Sequence, residues 1–226
     1  MTMLAAASAL VAAASSDLAQ PAPTTSPAPS DEVRPAGLPP IGKWMIDPSG
    51  DIAHWLDAPY QGKALREPIN VILIDRGATS IDDARRRLVA AAAAAGYPVR
   101  RGHSTGYHAL IDGHLYPQLP AARDDAFSNR VYELSNNHGR IFGPNRTGEG
   151  YVFIGAFSRE GVRPLHSPHH TYSSFNRARD DFSQRMNAST GFKLNGFVNL
   201  ENAVVDDPKI TTGDHDGLAV LLQAGS

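Results

Sequence analysis

Apolar and polar positions along this chain alternate between two periods. Ile69–Ile74 (INVILI) is an apolar, β-branched run broken only by Asn70, and it reads as a buried strand. A helical period follows. Thr79 or Ser80 can cap the N-terminus, Asp82 and Asp83 favour the positive end of the dipole, and Gly96 stops the helix. Ile81, Ala84, Leu88, Ala91, Ala92 and Ala95 form its expected buried stripe. A second helix is expected from a cap at Ser173 or Ser174 to Met186 or Asn187, with Phe175, Ala178, Phe182, Arg185 and Met186 on one stripe.

Strand patterns fill the rest. Tyr107–Ile111 leads into an Asp112-Gly113 hairpin turn, after which Pro117 and Pro120 are expected to break regular structure. In the stretch 129–160, Arg140–Gly143 and Tyr151–Phe157 flank a turn-rich Pro-Asn-Arg-Thr-Gly-Glu-Gly segment, the pattern of a hairpin with a longer loop. Residues 191–200 read as a strand or extended loop, and Leu218–Gln223 as a closing strand. Only IDPSGDIAHWLDAPY reads differently, as turns followed by a short helix. The order predicts an α+β fold, a single layer of helices on a mainly antiparallel sheet.

Composition adds a boundary and several exclusions. Residues 3–14 form an apolar run too short to span a bilayer and suited to a signal-peptide core, although a basic segment before it is missing. We therefore expect a signal peptide over 1–19, a Pro/Ala-rich linker over 20–40 and one domain over 41–226. That organisation predicts a periplasmic or secreted protein with no integral membrane span. A formal net charge of −2 among 226 residues makes no case for nucleic acid. The absence of cysteine excludes disulfides, thiol nucleophiles and thiolate-bound zinc.

Candidate chemistry gathers at the central hairpin. Residues two apart on a strand share a face, so His138, Arg140 and Phe142 lie together. On the other arm Ser158 joins Ile154 and Ala156, while Arg159 joins Phe153 and Phe157. His170 and Arg177 or Arg179 are expected to approach from the second helix. Guanidinium and imidazole groups on one face can bind phosphate or carboxylate, so His138, Arg140, Ser158, Arg159, His170 and Arg179 are the expected ligand-binding residues. The competing reading is a structural network in which Arg140 or Arg159 pairs with Asp180, Asp181 or Glu160.

Other chemistries are weaker. His166, His169 and His170, with His103, His108, His114 and the Asp214-His215-Asp216 run, do not make an HExxH pattern, and no metal or cofactor is assigned. Ser158 lacks a G-x-S-x-G elbow. Asp75-Arg76-Gly77-Ala78 carries no glycine-rich nucleotide loop. Three functions follow: a non-catalytic domain binding an anionic small ligand or an envelope protein, a phosphoester or ester hydrolase using histidine acid/base chemistry, and an assembly subunit using aromatic surface that includes Tyr151 and Tyr172.

Six segments in order resemble the bacterial LssY-like C-terminal domain family. Asn70–Ile74 is similar to its NVVLVG strand, Ala94-Ala95-Gly96-Tyr97 to its AAGW helix end, and His138-Gly139-Arg140-Ile141-Phe142 to its H-x-R-x-W strand. Gly155–Glu160 resembles GAASRD, His170-Thr171 with Arg179-Asp180 resembles TH…ERD, and Asp216–Leu222 resembles the closing TDG…VVxL. Phe142 replaces the tryptophan and Ala178 the acid before the helix arginine. The resemblance spans roughly residues 68–223. It implies the fold and a site at the hairpin, and it implies no activity.

Overall fold

The structure is a computed structural model, and it describes residues 31–119, 124–163 and 169–225. The expected signal peptide, the linker as far as residue 30, Pro120 and His166 lie outside the described residues. No described helix is long and apolar enough to cross a membrane.

In chain order the first strands are β1 (Glu32–Val33), β2 (Ile41–Gly42), β3 (His54–Tyr60), β4 (Lys63–Arg66) and β5 (Val71–Asp75). Helix α1 (Ile81–Ala94) follows, then β6 (Val99–Arg101), β7 (His108–Ile111), β8 (His114–Leu119) and β9 (Asp125–Ser128). The central hairpin is β10 (Asn136–Thr147) and β11 (Gly150–Arg163). The chain then forms β12 (His169–Ser174), α2 (Phe175–Ser189), β13 (Phe192–Asn199), β14 (Ile210–Thr211) and β15 (Leu218–Ala224). Two helices pack on one large, curled, mostly antiparallel sheet, a half-barrel of α+β class. Its main path runs β1-β2-β7-β8-β10-β11-β5-β15-β13, and only β5 and β15 pair in parallel within it. A small second sheet, β14-β4-β3, lies beside it.

Local chemistry explains both helices. Ser80 accepts from the backbone N–H of Asp83 at 3.1 Å, and Ser174 accepts from that of Arg177 at 2.9 Å, so each helix has the expected serine cap. Ala84, Leu88 and Ala92 of α1 and Ala178, Phe182 and Met186 of α2 meet Val71, Leu73, Ile141, Phe153 and Phe157 of the sheet. Gly139 lies opposite Phe157, and a Cβ there would collide with the phenyl ring, so glycine lets the aromatic lie over the strand. Ile81 and Arg185 leave their expected stripes and face solvent, because each lies at the margin of its helix's apolar arc.

The opposite sheet face holds a second apolar cluster, with Ile72, Ile74, Phe142, Val152, Ile154 and Ala156 under Ile41, Met45, Ile69 and Ile111. This face carries the site.

Four local expectations are corrected. His54–Tyr60 is a strand on β4, not a helix, since Pro59 would cost a helix a donor and a strand pairing buries Trp55. The long hairpin loop shrinks to Gly148-Glu149, because residues 144–147 continue β10 after an irregularity at Gly143-Pro144. Pro117 lies within β8, outside the Gln118–Leu119 stretch that β10 pairs, where a missing N–H is tolerated. His169 and His170 open strand β12 instead of a loop, because β11 runs far enough to pair with them. Glu32 and Val33, from the expected linker, pair with β2.

Candidate functional site

Along one face of the central hairpin the chain changes from apolar to polar. On β10 Phe142 is followed by Arg140, His138 and Asn136, and on β11 Ile154 and Ala156 by Ser158 and Glu160. Register places Asn136 opposite Glu160, His138 opposite Ser158 and Arg140 opposite Ala156. All of these polar side chains are buried. Beyond them, β10 exchanges its neighbour β9 for β8, and the segment between β6 and β7 brings His103 and Ser104 over the gap. The result is a cavity of about 140 Å3 lined chiefly by Trp55, Glu67, His103, Tyr132, Arg140 and Glu160.

The histidines converge here. The rings of His103 and His138 stack with centroids 4.6 Å apart, and Tyr132 stacks on His170 at 4.1 Å. His170 Nδ1 lies 3.1 Å from Glu160 Oε2, although the contact lacks hydrogen-bond geometry. His103 Nε2 is buried without a hydrogen-bond partner.

Asn136 organises the middle of the group. Its amide nitrogen donates to Glu160 Oε1 at 2.6 Å and to the Leu134 carbonyl at 2.9 Å, which identifies the other amide atom as oxygen. That oxygen lies 3.0 Å from His138 Nδ1 and can only accept, so Nδ1 carries the proton and Nε2 the lone pair. Ser158 Oγ lies 3.4 Å from His138 Nε2.

Burial sets the protonation of the group. It pushes His103 down to about 4, helped by the electrostatic influence of Arg140 and His170. His138, wholly enclosed, is held well below the ordinary histidine value by burial first, then by His103, Arg140 and His170. Its 3.8 Å contact with Glu160 is therefore a neutral imidazole beside a carboxyl group, not an ion pair. Burial pushes Glu160 up, against the Asn136 hydrogen bond and the positive charges of His170 and Arg140. Arg140 gives Nε and Nη2 to the Ser104 carbonyl at 3.2 and 3.1 Å and Nη2 to Ser104 Oγ at 2.8 Å. Its guanidinium lies 4.3 Å over the Tyr107 ring, and Nη1 is 3.9 Å from Glu67.

Of the residues expected from sequence, His138, Arg140, Ser158 and His170 come together. Arg159 does not, because it lies on the helix-covered face and donates to Asn137 Oδ1 at 2.9 Å. Arg179 is also elsewhere, bound to Asp180 at 2.8 Å, to Asp216 at 2.6 and 3.1 Å, and to the Leu218 carbonyl at 2.8 Å. The structural network expected of Arg140 or Arg159 with Asp180, Asp181 or Glu160 does not form: Arg140 binds Ser104 and faces Glu67, Arg159 binds Asn137, and it is Arg179 that pairs with Asp180 and Asp216. Tyr151 is buried in the helix-side core and Tyr172 packs on Trp55, Tyr60 and Phe175, so both are committed inside the fold.

Sequence reasoning missed Asn136, counted Glu160 among the polar groups of the hairpin without assigning it to the binding residues, and named His103 only as a weak metal candidate. Alternation from His138 and Ser158 pointed to Asn136 and Glu160, but nothing local placed His103 beside them. Among the described residues one group has donors arranged for a metal ion: His103, His138 and Glu160, with ligand atoms within 4.8 Å of one another.

Comparison of the chain with family models, with curated proteins and with solved structures finds no match in any of the three.

Proposed function

We propose that this pocket activates water against a small ester or phosphoester. One observation carries the reading: the imidazoles of His103 and His138, the carboxyl group of Glu160 and the guanidinium of Arg140 line one cavity, and a third histidine, His170, lies 3.1 Å from that carboxyl group. Held neutral, the imidazoles keep free lone pairs that can position a water, and a carboxyl group in low dielectric can take up a proton and return it. Arg140, backed by Ser104 and Tyr107, supplies fixed positive charge for the oxygen that becomes negative in the transition state. Trp55, Tyr107 and Tyr132 offer apolar wall to an organic group. Water is favoured over Ser158 as the nucleophile, because Ser158 lies within a regular strand pair and not on a strained turn.

The apolar run at 3–14 and the Pro/Ala-rich spacer support export, which would place the substrate in the periplasm or outside the cell. The test is turnover by the full chain on a panel of carboxylic and phosphate esters, with and without divalent metal. We expect hydrolysis that falls about 100-fold in Arg140→Met. No turnover on any member of the panel would refute the hydrolytic reading.

A non-catalytic pocket for a small anion is the second reading. It is favoured by the placement of Arg140 on the cavity wall beside His103 and His138. Calorimetric titration with phosphate and short carboxylates would show saturable binding that Arg140→Met removes; equal binding in both proteins would exclude it.

A further inference from the structure

We propose that the pocket holds one divalent transition-metal ion of the zinc class, bound by His103, His138 and Glu160. The inference rests on the water-activating reading of the same pocket and names the agent that does the activating.

Three observations support it. The donor atoms are already within 4.8 Å of one another and come from different parts of the chain: the β6–β7 connection, β10 and β11. His103 Nε2 is enclosed without a partner in a residue only 4% exposed, and buried nitrogens are ordinarily satisfied. Asn136 holds His138 Nδ1–H and Glu160 Oε1 together, as outer-shell groups hold metal ligands. That hydrogen bond leaves Nε2 of His138 with its lone pair.

The donor types select the ion. Two imidazole nitrogens and one carboxylate oxygen suit zinc, cobalt or iron(II), whereas magnesium and calcium favour oxygen alone. Donors bound tetrahedrally at roughly 2.1 Å lie about 3.4 Å apart, so the most distant donors must close by up to about 1.4 Å around the ion. Three protein ligands leave one position for water, the arrangement of catalytic rather than structural zinc.

The cation makes that water more acidic, so that hydroxide forms near neutral pH. Its oxygen makes the new bond to the acyl carbon or phosphorus, and the ester C–O or P–O bond breaks. The proton released from the water passes to His170, the histidine of the group that is not a ligand, and then to the departing alkoxide. One water is consumed, and an acid and an alcohol are formed.

The experiment uses the full chain stripped with a chelator, then titrated with Zn2+ against a chromogenic competitor and with Co2+ by visible absorption. One equivalent of Zn2+ should bind at micromolar or tighter Kd, with cobalt bands of nitrogen–oxygen coordination. His103→Gln and Glu160→Gln should each weaken Zn2+ at least 100-fold, while His114→Ala, at an exposed position, should not change it. Asn136→Ala should weaken it 10- to 100-fold. Circular dichroism checks that each variant is folded. If a variant fails to fold, the wild-type thermal midpoint decides: it should rise with Zn2+ and not with Mg2+. No zinc-specific binding by the wild type, or equal binding by the folded His103 and Glu160 variants, overturns the site. Turnover that persists in excess chelator overturns the ion and keeps the hydrolytic reading. Stoichiometric zinc with no turnover keeps the ion and removes that reading.

Discussion

Two buried histidines set against acidic and arginine side chains show how differently the same residue types can be used. His215 donates from Nε2 to Asn202 Oδ1 at 2.8 Å, and Asn202 spends its amide hydrogens on the Lys43 and Ile69 carbonyls at 2.9 Å each. His138 faces Asn136 Oδ1 in a similar way, with that amide spent on Glu160 and Leu134. In both places an asparagine sets the tautomer. The surroundings then part. Next to His215, Asp216 is matched by Arg179, and Asp214 accepts from Tyr172, Ser174 and the Phe175 backbone N–H. At the other site three histidines, His103, His138 and His170, crowd one carboxyl group, that of Glu160; each region keeps one buried imidazole nitrogen without a partner, Nε2 of His103 and Nδ1 of His215. The first region stabilises the fold through charge pairing. The second is paired more loosely, with Arg140 3.9 Å from Glu67 and the His170–Glu160 contact lacking hydrogen-bond geometry, as binding sites commonly are.

The comparison can be broken most forcefully at Arg179. Arg179→Ala removes four hydrogen bonds from a buried guanidinium to the partly exposed carboxylates of Asp180 and Asp216 and to the Leu218 carbonyl, and we expect a loss of about 3 kcal/mol in urea unfolding. Zinc affinity of the folded fraction should be unchanged. A loss below about 1 kcal/mol would contradict the structural role of this region.

Acid should separate the regions next. Burial holds His215 at about 4, against 6.5 for a free histidine, with a smaller opposing pull from Asp216. The unfolded chain therefore binds this proton more readily than the folded one. Its contribution is complete above pH 6.5 and is lost as pH falls from 6.5 toward 4. It amounts to about 3 kcal/mol, read as the difference between wild type and His215→Gln in metal-free unfolding curves at each pH. Parallel curves for the two proteins would refute it.

Asn202→Ala leaves the Ile69 carbonyl and His215 Nε2 without their partner, while the Lys43 carbonyl keeps the Ile69 N–H, which should cost about 2 kcal/mol by thermal unfolding with the pocket untouched. The pocket should respond in the opposite sense. Glu160→Gln replaces a buried carboxyl group with a neutral amide, so the metal-free chain should be about as stable as wild type or gain up to about 1 kcal/mol. Hydrolysis should be lost. A gain in stability with a loss of activity is the signature that distinguishes this region from the one around Arg179. The smallest effect is expected at Arg159→Ala, where the lost hydrogen bond to Asn137 should cost about 0.5–1 kcal/mol and leave turnover unchanged.

How much of the site was legible depended on distance along the chain. Alternation put His138, Arg140 and Ser158 on one sheet face, because a strand alternates its side chains whatever it packs against. The same rule sent Arg159 to the other face. His170 was rightly linked to the group, although on a strand rather than in a loop. His103 was out of reach, since its position depends on a connection that passes between β6 and β7 over a gap in strand pairing. Arg179 misled for a related reason: its helical position was readable, but its partner Asp216 lies 37 residues away.

By itself the sequence determined the two capped helices, the buried strand β5, the Asp112-Gly113 turn, the hairpin with its two faces, and the α+β class. These follow from local signals: serine caps, a β-branched run, a turn dipeptide and period-two alternation. Only the tertiary structure decided that His54–Tyr60 is a strand, that β5 lies between β11 and β15, and that His103, His138 and Glu160 meet. Those outcomes rest on pairings and burial between segments far apart in sequence. Their free energy exists only once the chain has closed, so no local pattern records them.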